Sequence, residues 1–445
     1  MRRHRAIFDR KSERGVVILL VAIFLLFVVG AMAVLAIDVV TFYTARSEAQ
    51  LAADGAALAA ARVLASSGMT SNPIDALLVS NAESLASTVA IQVALQNKVG
   101  GRLLNAGEVN PPVFSGSLLG SGSDPRVTVQ VTRNDLPTFF ARIWGRTQVT
   151  VSATATAEAY NPSGLTSSVV GGPPVAPSCV KPWLLPNMDP TGTNPTAPIF
   201  YATGAIADTT MLGKSWPNLN PGGNPQGLTA SCPGGDCSGV GALGTPSPGK
   251  YYPGSIDSTD FPVPTQSLPS CSAGLNDYQL AVVGCVERPI ACGAAPTINI
   301  DTNPYAFHTT DRDGDTVEAG KCLIHDKGVV GDTDSIDPTW TSGEPFQFLA
   351  GIANPVANAV GKEVLVSDSL VTVPVFNSSA GVTPNVTVIG FLQLFLNHQA
   401  VVLPPPGPGA QIPATIINMA GCGTTATGQP ILGNGSSPVA VRLVR

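Results

Sequence analysis

From Val16 to Ile37 the chain runs through 22 apolar or small positions without a single charge. At about 1.5 Å per helical residue this run measures roughly 33 Å, enough to cross a hydrocarbon core of about 30 Å with some tilt. No turn signal separates Asp38 from the alanine-rich segment beyond it. Ala45 to Ala65 holds 10 alanines in 21 positions, so the pattern predicts one helix that leaves the bilayer and continues into water. Phe42 and Tyr43 fall where rings suit the membrane interface. Beyond them Arg46, Gln50 and Asp54 share a polar face. Leu51, Gly55 and Leu58 form a stripe expected to pack on the chain's own sheet or on a partner helix.

A second helix is expected from Asp75 to about Lys98, with Leu77, Leu78, Leu85, Val89 and Val93 recurring among polar residues. Arg126 to Thr132 alternates cleanly, Val127, Val129 and Val131 on one face, which is the pattern of a half-buried strand. Leu136 to Trp144, led by Pro137, reads as a short amphipathic helix. Thr147 to Tyr160 reads as a second strand with Val149, Val151, Ala153, Ala155 and Ala157 on one side. These elements predict a small α+β domain over 38–160, standing on the transmembrane helix of 16–37 with a basic leader at 1–15. Asn161 to Ser178 is rich in Pro and Gly and reads as an extended linker. From Cys179 to Ser270 turn residues are too dense for long helices, whereas Glu363–Val375 and Val386–Leu396 are rich in β-branched and aromatic residues. The expectation for 179–445 is an irregular, mainly β, disulfide-containing domain.

Charge sets the orientation. Arg2, Arg3, Arg5, Arg10, Lys11 and Arg14 precede the apolar run against only Asp9 and Glu13, so the leader should stay in the cytoplasm and everything after Asp38 should lie outside. Two processed forms compete with this anchor. Ala31-Met32-Ala33 has the small residues of a signal-peptide cleavage site, but the run is longer than a signal core and extends past it. Gly15 could end a prepilin leader, but Leu20 stands where such leaders carry Glu. The whole chain has 24 basic and 30 acidic residues, a formal net charge of −6, and offers no basic patch for nucleic acid. With 46 glycines and 39 prolines, much of it must be turns. All eight cysteines, at 179, 232, 237, 271, 285, 292, 322 and 422, lie after the linker, and an even number outside the cytoplasm points to disulfides. Local bridges 232–237 and 285–292 are preferred among 105 connectivities. Zinc is the alternative, but no Cys-x-x-Cys pair occurs.

Catalytic signatures fail at named positions. Gly213-Lys214-Ser215 resembles the end of a phosphate loop, yet Asp208 stands where the first Gly is required. Gly120-Ser121-Gly122-Ser123-Asp124 does not complete a nucleophile elbow. Asp311, Asp313 and Asp315 alternate as calcium ligands do, but Thr316 and Cys322 replace the Gly and Glu that an EF-hand loop needs, and a solvated acidic turn is the preferred reading. His308, His325 and Asp326 lie near in sequence, but a lone histidine is more often a surface or packing residue than a ligand. The sequons at Asn377, Asn385 and Asn434 are read as accidental in a bacterial periplasmic protein. No catalytic, cofactor-binding or metal residue is assigned.

Glu13-Arg14-Gly15, the apolar helix ending at Ile37-Asp38, and the stretch from Ala45 to Ala59 (ARSEAQLAADGAALA) resemble the N-terminal region of TadG-like Flp (tight adherence) pilus-assembly proteins. The resemblance is specific over residues 13 to 62 and looser to 160. It implies a single-pass bacterial inner-membrane protein with its bulk in the periplasm. The implied role is structural, in a Flp/Tad pilus or related secretion apparatus, with the bilayer and other pilus-assembly or pilin proteins as partners. Assembly into homo- or hetero-oligomers would run through the alanine-rich helix. Some relatives carry a von Willebrand A domain with an Asp-x-Ser-x-Ser metal motif, and this chain has none. The alternatives are a membrane-tethered periplasmic binding module or hydrolase that works through 179–445, and a processed pilin-like subunit.

Overall fold

The computed structural model describes residues 11–72, 75–116, 125–160, 177, 179–190, 194, 196–202, 206–213, 215–216, 229–230, 246, 248, 250–255, 274–284, 286, 290, 298–301, 312–356, 358–379, 381–397, 412–422 and 439–444. The expected linker at 161–178, apart from position 177, and both local cysteine pairs lie outside these residues.

Helix α1 (Lys11–Ser66) is unbroken over 56 residues. Between 15 and 37 every residue is exposed except Val34, which is half-buried. Past Asp38 one face closes completely: Ala45, Ala49, Ala52, Ala53, Ala56, Ala57, Ala60 and Ala61 are fully buried, at the three-and-four spacing of a single helical face. The buried stripe is thus the alanines. Leu51 is 68% exposed and a Cβ on Gly55 would meet open space, whereas Leu58 is half-buried against the core, so of the expected Leu51–Gly55–Leu58 stripe only the last position packs inward. Methyl-sized side chains win the inner face because they let the sheet and second helix approach the α1 backbone.

Helix α2 (Ala76–Leu95) starts at Asp75, whose carboxylate accepts the Leu77 and Leu78 N–H groups at 3.1 Å each. Its Leu78, Ala82, Ala86, Val89 and Ala90 join the alanines of α1 in one core. Two short strands, β1 (Lys98–Val99) and β2 (Arg102–Leu103), lead to β3 (Val113–Ser115), β4 (Arg126–Pro137) and β5 (Gln148–Tyr160). β4 and β5 form a long antiparallel hairpin that sets Val127, Val129 and Val131 beside Ala157, Ala155 and Ala153. That face covers α1. The helix expected at 136–144 differs: β4 continues to Pro137 through a bulge between Arg133 and Leu136, because Leu136 pairs with Val149 and is buried. Only Ala141–Trp144 turns, as a 3₁₀ segment.

The second unit holds β6 (Trp183–Pro186), β7 (Ser215–Trp216), β8 (Thr229–Ala230), β9 (Lys250–Pro253), helices α3 (Asp277–Val283) and α4 (Arg312–Leu323), a small sheet β10 (Ser335–Ile336), β11 (Phe348–Leu349), β12 (Glu363–Val364), and β13 (Leu370–Phe376), β14 (Val388–Leu396) and β15 (Ala414–Gly421). Seven strands pair in the order β7-β15-β14-β13-β6-β9-β8, with β13–β6 and β8–β9 parallel. Every residue of central β14 is buried, as its near-continuous apolar run requires of a sheet covered on both faces. On one side α3 and α4 contribute Tyr278, Val282 and Val317 to the core; on the other, Tyr252, Phe376 and Phe391 pack with Ile298 and Ile300. Gly390 admits the Phe200 ring, which would lie 2.4 Å from a Cβ there. The expectation of a mainly β unit holds, with two helices added.

Strand β16 (Ala440–Val444) pairs antiparallel with β5 and not with the seven-stranded sheet. Its residues complete a four-stranded sheet of order β16-β5-β4-β3. No cysteine among the described residues, Cys179, Cys322 and Cys422, is a free thiol.

Candidate functional site

Asp38 is the first charge after the apolar run, on the same face of α1 as Val34 and Ala45. It is 3% exposed. Its Oδ1 accepts the Phe139 N–H at 2.7 Å, and its Oδ2 accepts those of Phe140 at 2.8 Å and Ala141 at 3.1 Å. These are the amides that the start of a 3₁₀ turn leaves without partners, so a carboxylate from a distant helix does what an N-cap residue does locally. Burial pushes the Asp38 carboxyl up, but the Phe139, Ala141 and Phe140 donors together hold it below the usual carboxylate range. The turn closes on itself as Thr138 Oγ1 donates to the Arg146 carbonyl.

Further contacts tie α1 to the sheet along its length. Glu48 Oε2 accepts the Gly100 N–H at 2.6 Å, and Gln50 Nε2 reaches Asp54 at 2.7 Å and the Thr154 carbonyl at 3.3 Å. Gly100 has φ +58° and a Cβ there would lie 2.3 Å from Leu136 Cδ1, so only glycine fits. Beside it Arg102 bridges Glu108 and Asp135, and Arg133 also reaches Asp135 at 2.9 Å. Arg102 and the neighbouring backbone hold Glu108 below its usual range. At the C-terminal strand, buried Glu158 accepts Arg126 Nε at 2.8 Å and Arg442 Nε at 2.6 Å.

The far end of α1 meets the second unit. Asn418 of β15, fully buried, donates to the Ala65 carbonyl at 2.7 Å, and Ser71 Oγ donates to Asn418 Oδ1. Met419 N–H donates to Ser71 Oγ at 2.9 Å. Neither these contacts nor those of Asp38 and Glu158 follow from the sequence pattern alone. The one available sign was a lone acid in an apolar or Ala/Thr stretch, at Asp38 and Glu158; Asn418 carries none.

The acidic run falls differently from a loop. Asp311 lies outside the described residues, and Asp313 and Asp315 fall within α4. Asp315 is buried and accepts from Asn276 Nδ2 at 3.1 Å. His325 Nε2 lies 2.9 Å from Asp368, Asp326 accepts the Gly328 N–H in a turn, and His308 lies outside the described residues. Among the described residues no group of three His, Cys, Asp or Glu side chains stands ready for a metal ion. Of the Gly213-Lys214-Ser215 run only Gly213 and Ser215 are described, Ser215 in a two-residue strand; residues 120–124 and Asn434 are outside. Asn377 Oδ1 accepts from Ser379. A cavity of about 740 Å³ beside the small sheet is lined by Gly213, Asp334, Asp337, Trp340 and Phe395 among others. The Asp334 carboxylate is taken up by Gly351, Asn354 and Ser367, and Asp337 by Thr339, so neither is aimed at a guest.

The described geometry is that of an α+β unit built on the far half of an N-terminal apolar helix. Residues 15–63 match the family described as Flp pilus-assembly TadE/G-like, and residues 44–157 match the family described as Tad-like Flp pilus-assembly. Over those residues, less than half of the chain, the sequence is similar to these two Flp pilus-assembly families, in line with the resemblance at 13–62 and its looser extension to 160. No curated protein and no solved structure matches it.

Proposed function

We propose that the protein is a membrane-anchored structural component of a Flp/Tad-type pilus or related secretion apparatus. Its N-terminus lies in the cytoplasm, α1 crosses the inner membrane once, and the bulk stands in the periplasm, where other pilus-assembly or pilin proteins are its partners. The observation that carries this reading is the passage of one helix from an exposed apolar run straight into a buried alanine face, which joins anchor and domain without a hinge. The basic leader supports the orientation. The bonded state of Cys179, Cys322 and Cys422 supports a disulfide framework outside the cytoplasm. With the alanine face covered by the chain's own sheet, oligomer contacts fall to the outward Leu51 and Gly55 side.

A membrane-tethered binding module is the second reading, favoured by the 740 Å³ cavity. Saturation of its two aspartates by the chain's own donors weighs against chemistry there.

The test is mass spectrometry of the mature protein from its native membrane, unreduced and reduced, with protease protection in sealed vesicles. An intact leader, oxidised cysteines and a periplasmic bulk are expected. Cleavage after Gly15 would make the chain a pilin-like subunit, cleavage after Ala33 a released protein, and free thiols would overturn the compartment.

A further inference from the structure

We propose that the tip of the β4–β5 hairpin, residues 138–147, is a second membrane contact that lies in the headgroup region of the bilayer crossed by α1. The inference rests on the anchor reading and adds a surface to it.

Three observations converge. The first is height. Asp38 directly follows the last apolar residue of the run, and its carboxylate holds the backbone of Phe139, Phe140 and Ala141. The tip is thereby fixed where α1 leaves the hydrocarbon. Val34, one turn earlier on the same face, is the one residue of 15–37 that is not exposed, so the fold already overlaps the last turn of the apolar run. The alignment of the rest agrees: Gln50 reaches Thr154, and the twelve residues from Asp38 rise about 18 Å while the six from Gln148 to Thr154 extend about 20 Å. Sheet and helix therefore run away from the bilayer side by side, with the tip at the membrane end.

The second is exposed apolar surface. Phe139 is 59% exposed and Ile143 is 73% exposed, whereas the valines and Leu136 of β4 and β5 are buried or half-buried. On α1 at the same level Val39, Val40 and Tyr43 are exposed at 51, 64 and 79%.

The third is charge. Arg142 and Arg146 are exposed and have no ion-pair partner among the described residues. No acid occurs between Asp135 and Glu158. Aromatic and aliphatic side chains interleaved with arginines form the composition of an interfacial anchor, in which rings enter the acyl boundary and guanidinium groups stay with anionic headgroups. Two points of attachment would fix the rotation of α1 about its axis and the face that the unit presents to its partners.

The experiment places a photo-crosslinking benzoylphenylalanine at Phe139, Ile143, Leu26 or Val330 of the full chain in nanodiscs of phosphatidylethanolamine and phosphatidylglycerol. Lipid adducts are expected at 139, 143 and 26 but not at Val330, an exposed residue of the second unit. Adduct yield at 143 should fall several-fold with R142E/R146E or when phosphatidylcholine replaces phosphatidylglycerol. Lipid adducts at 26 alone would overturn the tip contact and leave the anchor standing. Their absence at 26 would overturn the anchor itself. Protein adducts at 143 would assign the surface to a protein partner, and adducts at Val330 equal to those at 143 would deny it any specificity.

Discussion

A carboxylate that directly follows a long exposed apolar run ordinarily turns to water, and Asp38 instead turns to three amides. Its side chain is short enough to bring both oxygens against the 139–141 backbone while the helix stays straight. In D38N one oxygen becomes a donor facing donors, so at least one N–H loses its partner and the charge–dipole attraction vanishes. We expect a loss of about 1–3 kcal/mol in the N-terminal unit and amide exchange at 139–141 faster by roughly tenfold or more. The sign with pH follows from the lowered folded value: the contribution is complete above the unfolded carboxylate range near pH 4 and is lost only as pH falls through the folded value beneath it. A loss of the clamp between pH 7 and 5 would refute this. Lys181 shows the opposite case. Burial brings its amine down to about 8 from 10.5, against a weaker upward pull from Asp368, and its Nζ donates to the Gly284 carbonyl at 2.8 Å. Between about pH 8 and 10.5 the unfolded chain holds the extra proton, so this group makes the fold more stable as pH rises. Relative to K181M, the native chain should gain on the order of 1–3 kcal/mol from pH 7 to 10, measured by urea unfolding.

Among the elements, those written in local periodicity were legible: α1, α2, β5 and the start of β4 follow from the spacing of apolar residues. What the spacing could not carry is a partner far away in sequence. β16 alternates Val441 and Leu443 with Ala440, Arg442 and Val444 and would read as any edge strand; its place beside β5 rests on pairing with residues some 284 positions away, where Glu158 meets Arg442. Leu136 looked like the opening of a helix because its pairing with Val149 lies across a bulge. The acidic residues after Asp311 resembled a loop, yet burial of Asp315 against Asn276 favours the helix. The alanines were legible as helix but not as core, since a methyl group states little about which side is buried. The Glu158 junction makes its own prediction. E158A leaves two arginines that are 45 and 20% exposed and can hydrate, so the cost is about 1–2 kcal/mol. Removing residues 439–445 altogether bares the β5 edge, and self-association, read by sedimentation of the detergent-solubilised chain, should follow.

Across the whole molecule α1 acts as a spine. From Asp38 to Ser66 it rises about 42 Å, with the hairpin tip at its base, the alanine face along its middle and the second unit at its end. The upper joint is small and polar: Asn418 gives one N–H to the Ala65 carbonyl, an orphan acceptor at the helix terminus, while its oxygen receives Ser71, which in turn accepts from Met419. All these groups are buried, so losing either partner strands the other without water. N418A and S71A should each cost about 1–3 kcal/mol, and the double variant should cost less than their sum, because both break one network. The distinguishing readout is the shape of unfolding. If the joint transmits force between units, the native chain melts in one transition, and N418A splits it into two, with the N-terminal unit keeping its own midpoint. Equal shifts of a single transition in all variants would mean that Asn418 serves only the packing of β15, and that the two units are coupled instead through β16 and its return to β5.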